Sequence, residues 1–103
     1  MEPTVILCTV PSEESARQIA QTLVEERLAA CVSIVPGVRS IYRWQGNICD
    51  DPELLLLIKT RRERFARLLR RLQEIHPYEV PEVQALGVNE SAPSFLAWLQ
   101  EAT

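Results

Sequence analysis

The chain has 103 residues, 47% of them hydrophobic and 24% charged, with a formal net charge of -3. This suits one globular domain over residues 1–103 with a single core, and no linker-like stretch argues for a second. The acidic balance gives bulk binding to nucleic acid or to an anionic membrane no electrostatic support.

Thr4 to Val10 is β-branched and apolar and predicts a strand, too short for a signal core or a membrane span. Pro11-Ser12-Glu13-Glu14 supplies an N-cap serine with acids in the first turn. Ala16, Ile19, Ala20, Leu23, Val24 and Leu28 then recur at helical spacing, predicting a helix that ends near Arg27. Ala30 to Val35 predicts a second strand, interrupted at Pro36-Gly37 and resumed from Val38 to Trp44, where Gln45-Gly46-Asn47 makes a turn. Ile48 begins the return, and Glu53 to Lys59 completes a third strand across Asp50-Asp51-Pro52. Thr60-Arg61-Arg62-Glu63 fits a capping box ahead of a second helix with the stripe Phe65, Leu68, Leu69, Leu72 and Ile75, closed by Pro77. Glu82 to Val88 predicts a fourth strand and Pro93 to Glu101 a terminal helix.

The order strand, helix, strand, strand, helix, strand predicts an α+β, ferredoxin-like fold: an antiparallel sheet with both helices on one face, plus the C-terminal helix. The other sheet face should be polar in a monomer, yet Val5 to Cys8 and Leu54 to Ile58 are continuously apolar, so a partner chain must cover it. Length adds a second argument. Cys31 to Trp44 can extend about 45 Å, far beyond a usual strand, so the hairpin overhangs its own domain. It carries Ile41, Tyr42 and Trp44, which are expected to pair with a neighbouring subunit rather than fold back.

Chemistry-bearing residues concentrate in Ile75-His76-Pro77-Tyr78-Glu79-Val80-Pro81-Glu82, which sets the only histidine, a tyrosine and two carboxylates on a proline-stiffened connector. The same octapeptide also serves simply to stop a helix and start a strand. In the strand order fourth, first, third, second, the first and third strands are expected to run parallel. That would gather Cys8, Thr9, Lys59, Thr60, His76, Tyr78, Glu79 and Glu82 at one sheet end, beside helix starts at Ser12 and Thr60 that favour an anion. Lys59 would there bind an anionic ligand or pair with Glu82. Cys8, Cys31 and Cys49 are odd in number and widely spaced, which suits a reducing, cytoplasmic setting and no disulfide framework. Cys31 reads as core packing and Cys49 as an accessible thiol. The arginines from Arg61 to Arg71 read as a solvated helix face.

Six blocks resemble, in order, the motifs of the CutA divalent-cation tolerance proteins. They are Leu7-Cys8-Thr9-Val10-Pro11, Leu28-Ala29-Ala30-Cys31-Val32, Ile34-Val35-Pro36-Gly37, Tyr42-Arg43-Trp44-Gln45-Gly46, Leu57-Ile58-Lys59-Thr60 and His76-Pro77-Tyr78-Glu79-Val80-Pro81-Glu82. The resemblance implies a homotrimer similar in architecture to PII signal proteins, an association with copper and other divalent cations, and no established reaction. It places metal binding on Cys8 and His76, with Glu79, Glu82 or another subunit supplying further ligands; Cys8 reads more readily as a small buried hydrophobe in a strand. Some members carry two adjacent histidines where this chain has Ile75-His76. The expected function is metal response without catalysis. The alternative is a PII-like sensor holding an anionic metabolite in an intersubunit cleft formed by Trp44, Lys59, Tyr78 and Glu82. RNA binding is disfavoured, since Ile6, Leu7, Leu55 and Leu57 stand where stacking aromatics would be needed. An enzyme is disfavoured by the lack of an organised nucleophile or phosphate loop.

Overall fold

Strict alternation sorts the side chains of the first strand. In the computed structural model, which describes residues Met1 to Thr103, β1 (Pro3–Val10) buries Thr4, Ile6, Cys8 and Val10 and leaves Pro3, Val5, Leu7 and Thr9 half-buried on the opposite face. Helix α1 (Glu13–Glu25) starts as expected, with the Ser15 N–H donating to Ser12 Oγ at 3.1 Å. It ends in a Schellman arrangement: Leu28 N–H reaches the Leu23 carbonyl at 2.9 Å and Arg27 N–H the Val24 carbonyl at 3.1 Å. Arg27 takes the left-handed position of that motif, with φ 58°.

The hairpin is more continuous than its prolines suggest. β2 (Cys31–Trp44) absorbs Pro36-Gly37 as a register shift between Val35 and Val38, where Gly37 adopts φ 77°. β3 (Asn47–Arg61) accommodates Pro52 because β1 pairing stops at Leu54, so beyond that point β3 has a hydrogen-bonded neighbour on one side only. The turn joins Trp44 to Asn47 through Gln45 (φ 50°) and Gly46 (φ 83°), the two-residue geometry that matches strand twist. Asn47 to Glu53 therefore extend roughly 23 Å past the rest of the sheet. The longest dimension of the molecule is 44 Å.

The four strands lie in the order β2-β3-β1-β4, as the ferredoxin-like pattern predicts. Their directions correct one expectation: β1 and β3 are antiparallel, with Thr4 opposite Thr60 and Val10 opposite Leu54. A single helix connects β1 to β2 and a hairpin reverses the chain into β3, so β3 must descend where β1 rises. The Ser12 and Thr60 ends consequently lie at opposite ends of the sheet. Thr60 is no helix cap either. It is buried, its hydroxyl donates to the Leu28 carbonyl at 2.7 Å, and β3 continues to Arg61 before a 3-10 turn at Arg62–Arg64.

Helix α2 (Phe65–Ile75) packs Leu68 and Leu72 beside Ala16, Ile19 and Leu23 of α1 onto Ile6, Cys8, Val10, Leu56 and Ile58. β4 (Gln84–Gly87) is shorter than predicted and pairs with β1 only over Thr4 to Leu7, because the proline-rich connector first passes the Val10 end of β1. Helix α3 (Pro93–Ala102) is tied back by Arg64 Nε, which donates to the Thr103 carbonyl at 3.1 Å. The sheet face away from α1 and α2 presents Val5, Leu7, Leu55 and Leu57 half-buried and Val35 and Leu86 exposed. No helix is long and apolar enough to cross a membrane.

Candidate functional site: an acidic, aromatic cleft beside the hairpin

The connector after α2 is anchored by its histidine. His76 ends α2 in extended geometry, and its N–H still bonds the Leu72 carbonyl at 2.8 Å. Its ring lies 2.9 Å from the Thr9 carbonyl through Nε2 and 3.0 Å from the Tyr78 N–H through Nδ1. A carbonyl can only accept, so Nε2 carries the proton and Nδ1 accepts: the imidazole is neutral, with both nitrogens occupied. Burial lowers its pKa, against the opposing pull of the Thr9 carbonyl and of Glu53.

The next turn of chain brings Tyr78 over the end of β3. Its ring centroid is 5.0 Å from that of His76, and its hydroxyl donates to Glu53 Oε2 at 2.5 Å. Glu53 is only 6% exposed. Burial first, and this hydrogen bond second, hold the Tyr78 phenol well above its ordinary range. A parallel bond lies further along the hairpin, where Tyr42 donates to Asp51 Oδ2 at 2.6 Å and its phenol is pushed up to about 12, chiefly by that bond.

Between the hairpin and the connector lies a cleft of about 680 Å³. Tyr42, Trp44 and Tyr78 wall it, and Glu53, Glu79 and Glu82 contribute carboxylates; no Lys, Arg or His lines it. Its field attracts a cation and repels an anion.

The structure thus brings Trp44, Tyr78, Glu79 and Glu82 together with Thr9, sets His76 against Thr9 and Tyr78 beside them, and separates Lys59, Thr60 and Cys8 from the cleft. Lys59 lies opposite Val5, about 13 Å along β1 from Thr9, and donates to Ser33 Oγ. It makes no ion pair with Glu82, because the antiparallel run of β3 carries Glu53, not Lys59, to the cleft end. The anionic-metabolite reading loses its cation with that reversal. Cys8 fails as a ready ligand for a different reason. Thr9 lines the cleft, so its neighbour Cys8 points to the opposite face, into the helix-covered core. Burial, with the nearby charges of Glu82 and Glu53, pushes its thiol up to about 12, so no thiolate is on offer. No group of three or more His, Cys, Asp or Glu side chains is arranged to hold a metal ion. Cys8, His76 and Glu79 therefore do not form a preassembled centre within one chain.

Sequence reasoning missed Glu53, Tyr42 and Asp51. The usable signal was parity: on an antiparallel β3, Glu53 shares the face of Leu55 and hence of Thr9.

Residues 4–102 match the family model described as CutA1 divalent ion tolerance protein. The chain is 59% identical over 99 residues to "Divalent-cation tolerance protein CutA" of Thermus thermophilus, covering 96% of each. It is 42% identical to "Protein CutA, chloroplastic" of Arabidopsis thaliana over 96% of this chain, and spans about half (54%) of that longer protein. The crystal structure of CutA1 from Oryza sativa superposes with a TM-score of 0.97, with 40% identity over 100% of this chain and 94% of that one.

Proposed function

The chain belongs to the CutA1 divalent ion tolerance family, and from that premise we propose that it is a non-enzymatic cytoplasmic protein that binds divalent cations, copper foremost, as a homotrimer. One observation carries the reading: the cleft beside the overhanging hairpin is lined by Glu53, Glu79 and Glu82 with no basic side chain. Carboxylate oxygens accept many divalent ions, and copper leads the affinity order at a given site. One chain does not assemble three metal ligands, so a neighbouring copy completes the set. The half-buried apolar face at Val5, Leu7, Leu55 and Leu57 supplies the reason for a neighbour to be there. Three free thiols favour a reducing compartment. Occupied imidazole nitrogens and a protonated Cys8 leave no nucleophile and base in register, which favours binding over catalysis.

Calorimetric titration of chelator-treated protein with copper(II) tests this. The expected result is saturable binding that Glu53→Gln and Glu82→Gln weaken while Cys8→Ser leaves it unchanged. Binding lost only in Cys8→Ser would move the site into the core and overturn the cleft assignment.

A further inference from the structure

We propose that the Lys59 and Arg61 end of the apolar sheet face binds a phosphate-type oxyanion where copies of the chain meet. This rests on the trimer reading but not on the acidic cleft, which lies at the other end of the face, with Glu53 about 20 Å from Lys59 along β3. Strand parity sets both cations on one side. Lys59 stands opposite Val5 and Arg61 opposite Pro3, so their side chains leave β3 on the face of Leu55 and Leu57, from backbone positions about 7 Å apart. The strand positions beside them on that face are Pro3, Val5 and Leu86 to one side and Cys31 and Ser33 to the other, none of them a carboxylate.

Arg61 carries a charge that its own chain leaves unanswered. Its Nε is the one buried side-chain nitrogen or oxygen in the molecule without a hydrogen-bond partner. The carboxylate nearest to it, that of Glu63, stands 3.7 Å from Nη1, beyond hydrogen-bond distance, and is half exposed to water. Lys59 gives one donor to Ser33 Oγ and keeps two. A guanidinium that has lost water at Nε, with 19% of its side chain still exposed, gains strongly from an oxyanion at its open fork. Assembly sharpens the demand. In a closed ring of three, corresponding residues stand at one height about the axis. Mutually covered faces then draw the Arg61 and Lys59 side chains of all copies towards one another among apolar neighbours, where like charges repel. Phosphate answers this arrangement, because its several oxygens accept forked donors from more than one guanidinium. A carboxylate from the neighbouring copy has the same chemistry and is the competing source.

The test titrates inorganic phosphate into the full chain at fixed ionic strength by calorimetry, with assembly followed by sedimentation on dilution. Phosphate should bind saturably and hold the trimer together at dilutions where chloride does not. Arg61→Met should weaken phosphate binding about tenfold and, by removing repulsion, make the phosphate-free trimer harder to dissociate. Arg61→Lys keeps the charge and loses the fork, so it should bind phosphate more weakly than the wild type, and the result does not hang on how methionine packs. Arg67→Met, on the exposed side of α2, should change neither property. A trimer that takes up no phosphate, or takes it up equally after Arg61→Met, overturns this site alone. A trimer indifferent to phosphate that Arg61→Met weakens assigns the guanidinium to a carboxylate of the neighbouring copy and also overturns it. A wild-type chain that sediments as monomer with and without phosphate overturns the trimer reading and this site with it.

Discussion

The imidazole of His76 donates from Nε2 to the carbonyl oxygen of Thr9 at 2.9 Å, across 67 residues of sequence. This bond joins the connector after α2 to the end of β1, and with it one wall of the cleft to the sheet. Since Nδ1 simultaneously accepts from the Tyr78 N–H, a second proton on the ring would face a donor.

Stability should therefore fall on mild acidification. Burial lowers the His76 pKa in the folded state, so the unfolded chain takes up the proton first. The stabilisation is complete above the unfolded value near about 6.5 and is lost as pH falls through the lower folded value. Urea midpoints measured between pH 7.5 and 5 should drop, and His76→Gln should flatten the profile in that window; an unchanged slope in the variant would assign the effect elsewhere.

Tyr78→Phe should cost about 1 to 3 kcal/mol, because it leaves the buried Glu53 carboxylate short of its donor. Glu53→Gln, which still accepts, should cost less. Equal losses in urea denaturation would show that the bond contributes nothing beyond ring packing.

Cys8 should resist thiol reagents in the native protein, where its thiol is fully buried and pushed up to about 12, while Cys31 and Cys49 react on the strands. All three should label in denaturant. Peptide mapping after brief alkylation decides it, and early labelling of Cys8 would contradict the packing described.

Arg27→Gly should raise stability by up to about 1 kcal/mol, since an L side chain is strained at φ 58° and the motif favours glycine there. The one long-range bond lost, from Arg27 Nη1 to the Glu101 carbonyl, is exposed and 3.4 Å long. A lower urea midpoint would mean that this contact outweighs the strain.

Leu57→Asp places a charge at the centre of the sheet face opposite α1 and α2, where Leu57 lies between Leu7 and Ser33. If a neighbouring copy covers that face in the proposed trimer, sedimentation should show trimer for the wild type and monomer for the variant. A persisting trimer would remove this face from the interface.

Local chemistry sufficed for the elements. The Ser12 cap, the helical spacing of Ala16, Ile19 and Leu23, and the glycine turn at Gly46 each act within a few residues, so strands and helices were legible in order. The overlong hairpin was legible too, since strand rise is nearly constant. Pro36 and Pro52 do not end their strands, because a bulge and a one-sided strand, both tertiary circumstances, remove the usual penalty.

The site was decided by long-range geometry. Trp44, Tyr78, Glu79 and Glu82 were identifiable by residue type, but which strand end meets them depends on the relative direction of β1 and β3. Reversing that direction exchanged Lys59 for Glu53 and so changed the sign of the cleft. A single step of strand parity sent Cys8 to the core and Thr9 to the cleft. The state of His76 follows from partners at Thr9 and Tyr78 that only the folded chain brings to its two nitrogens. Sequence alone determined the elements and their order, because those depend on neighbours along the chain. Tertiary structure alone decided the charge and the ligating capacity of the site, because those depend on neighbours across it.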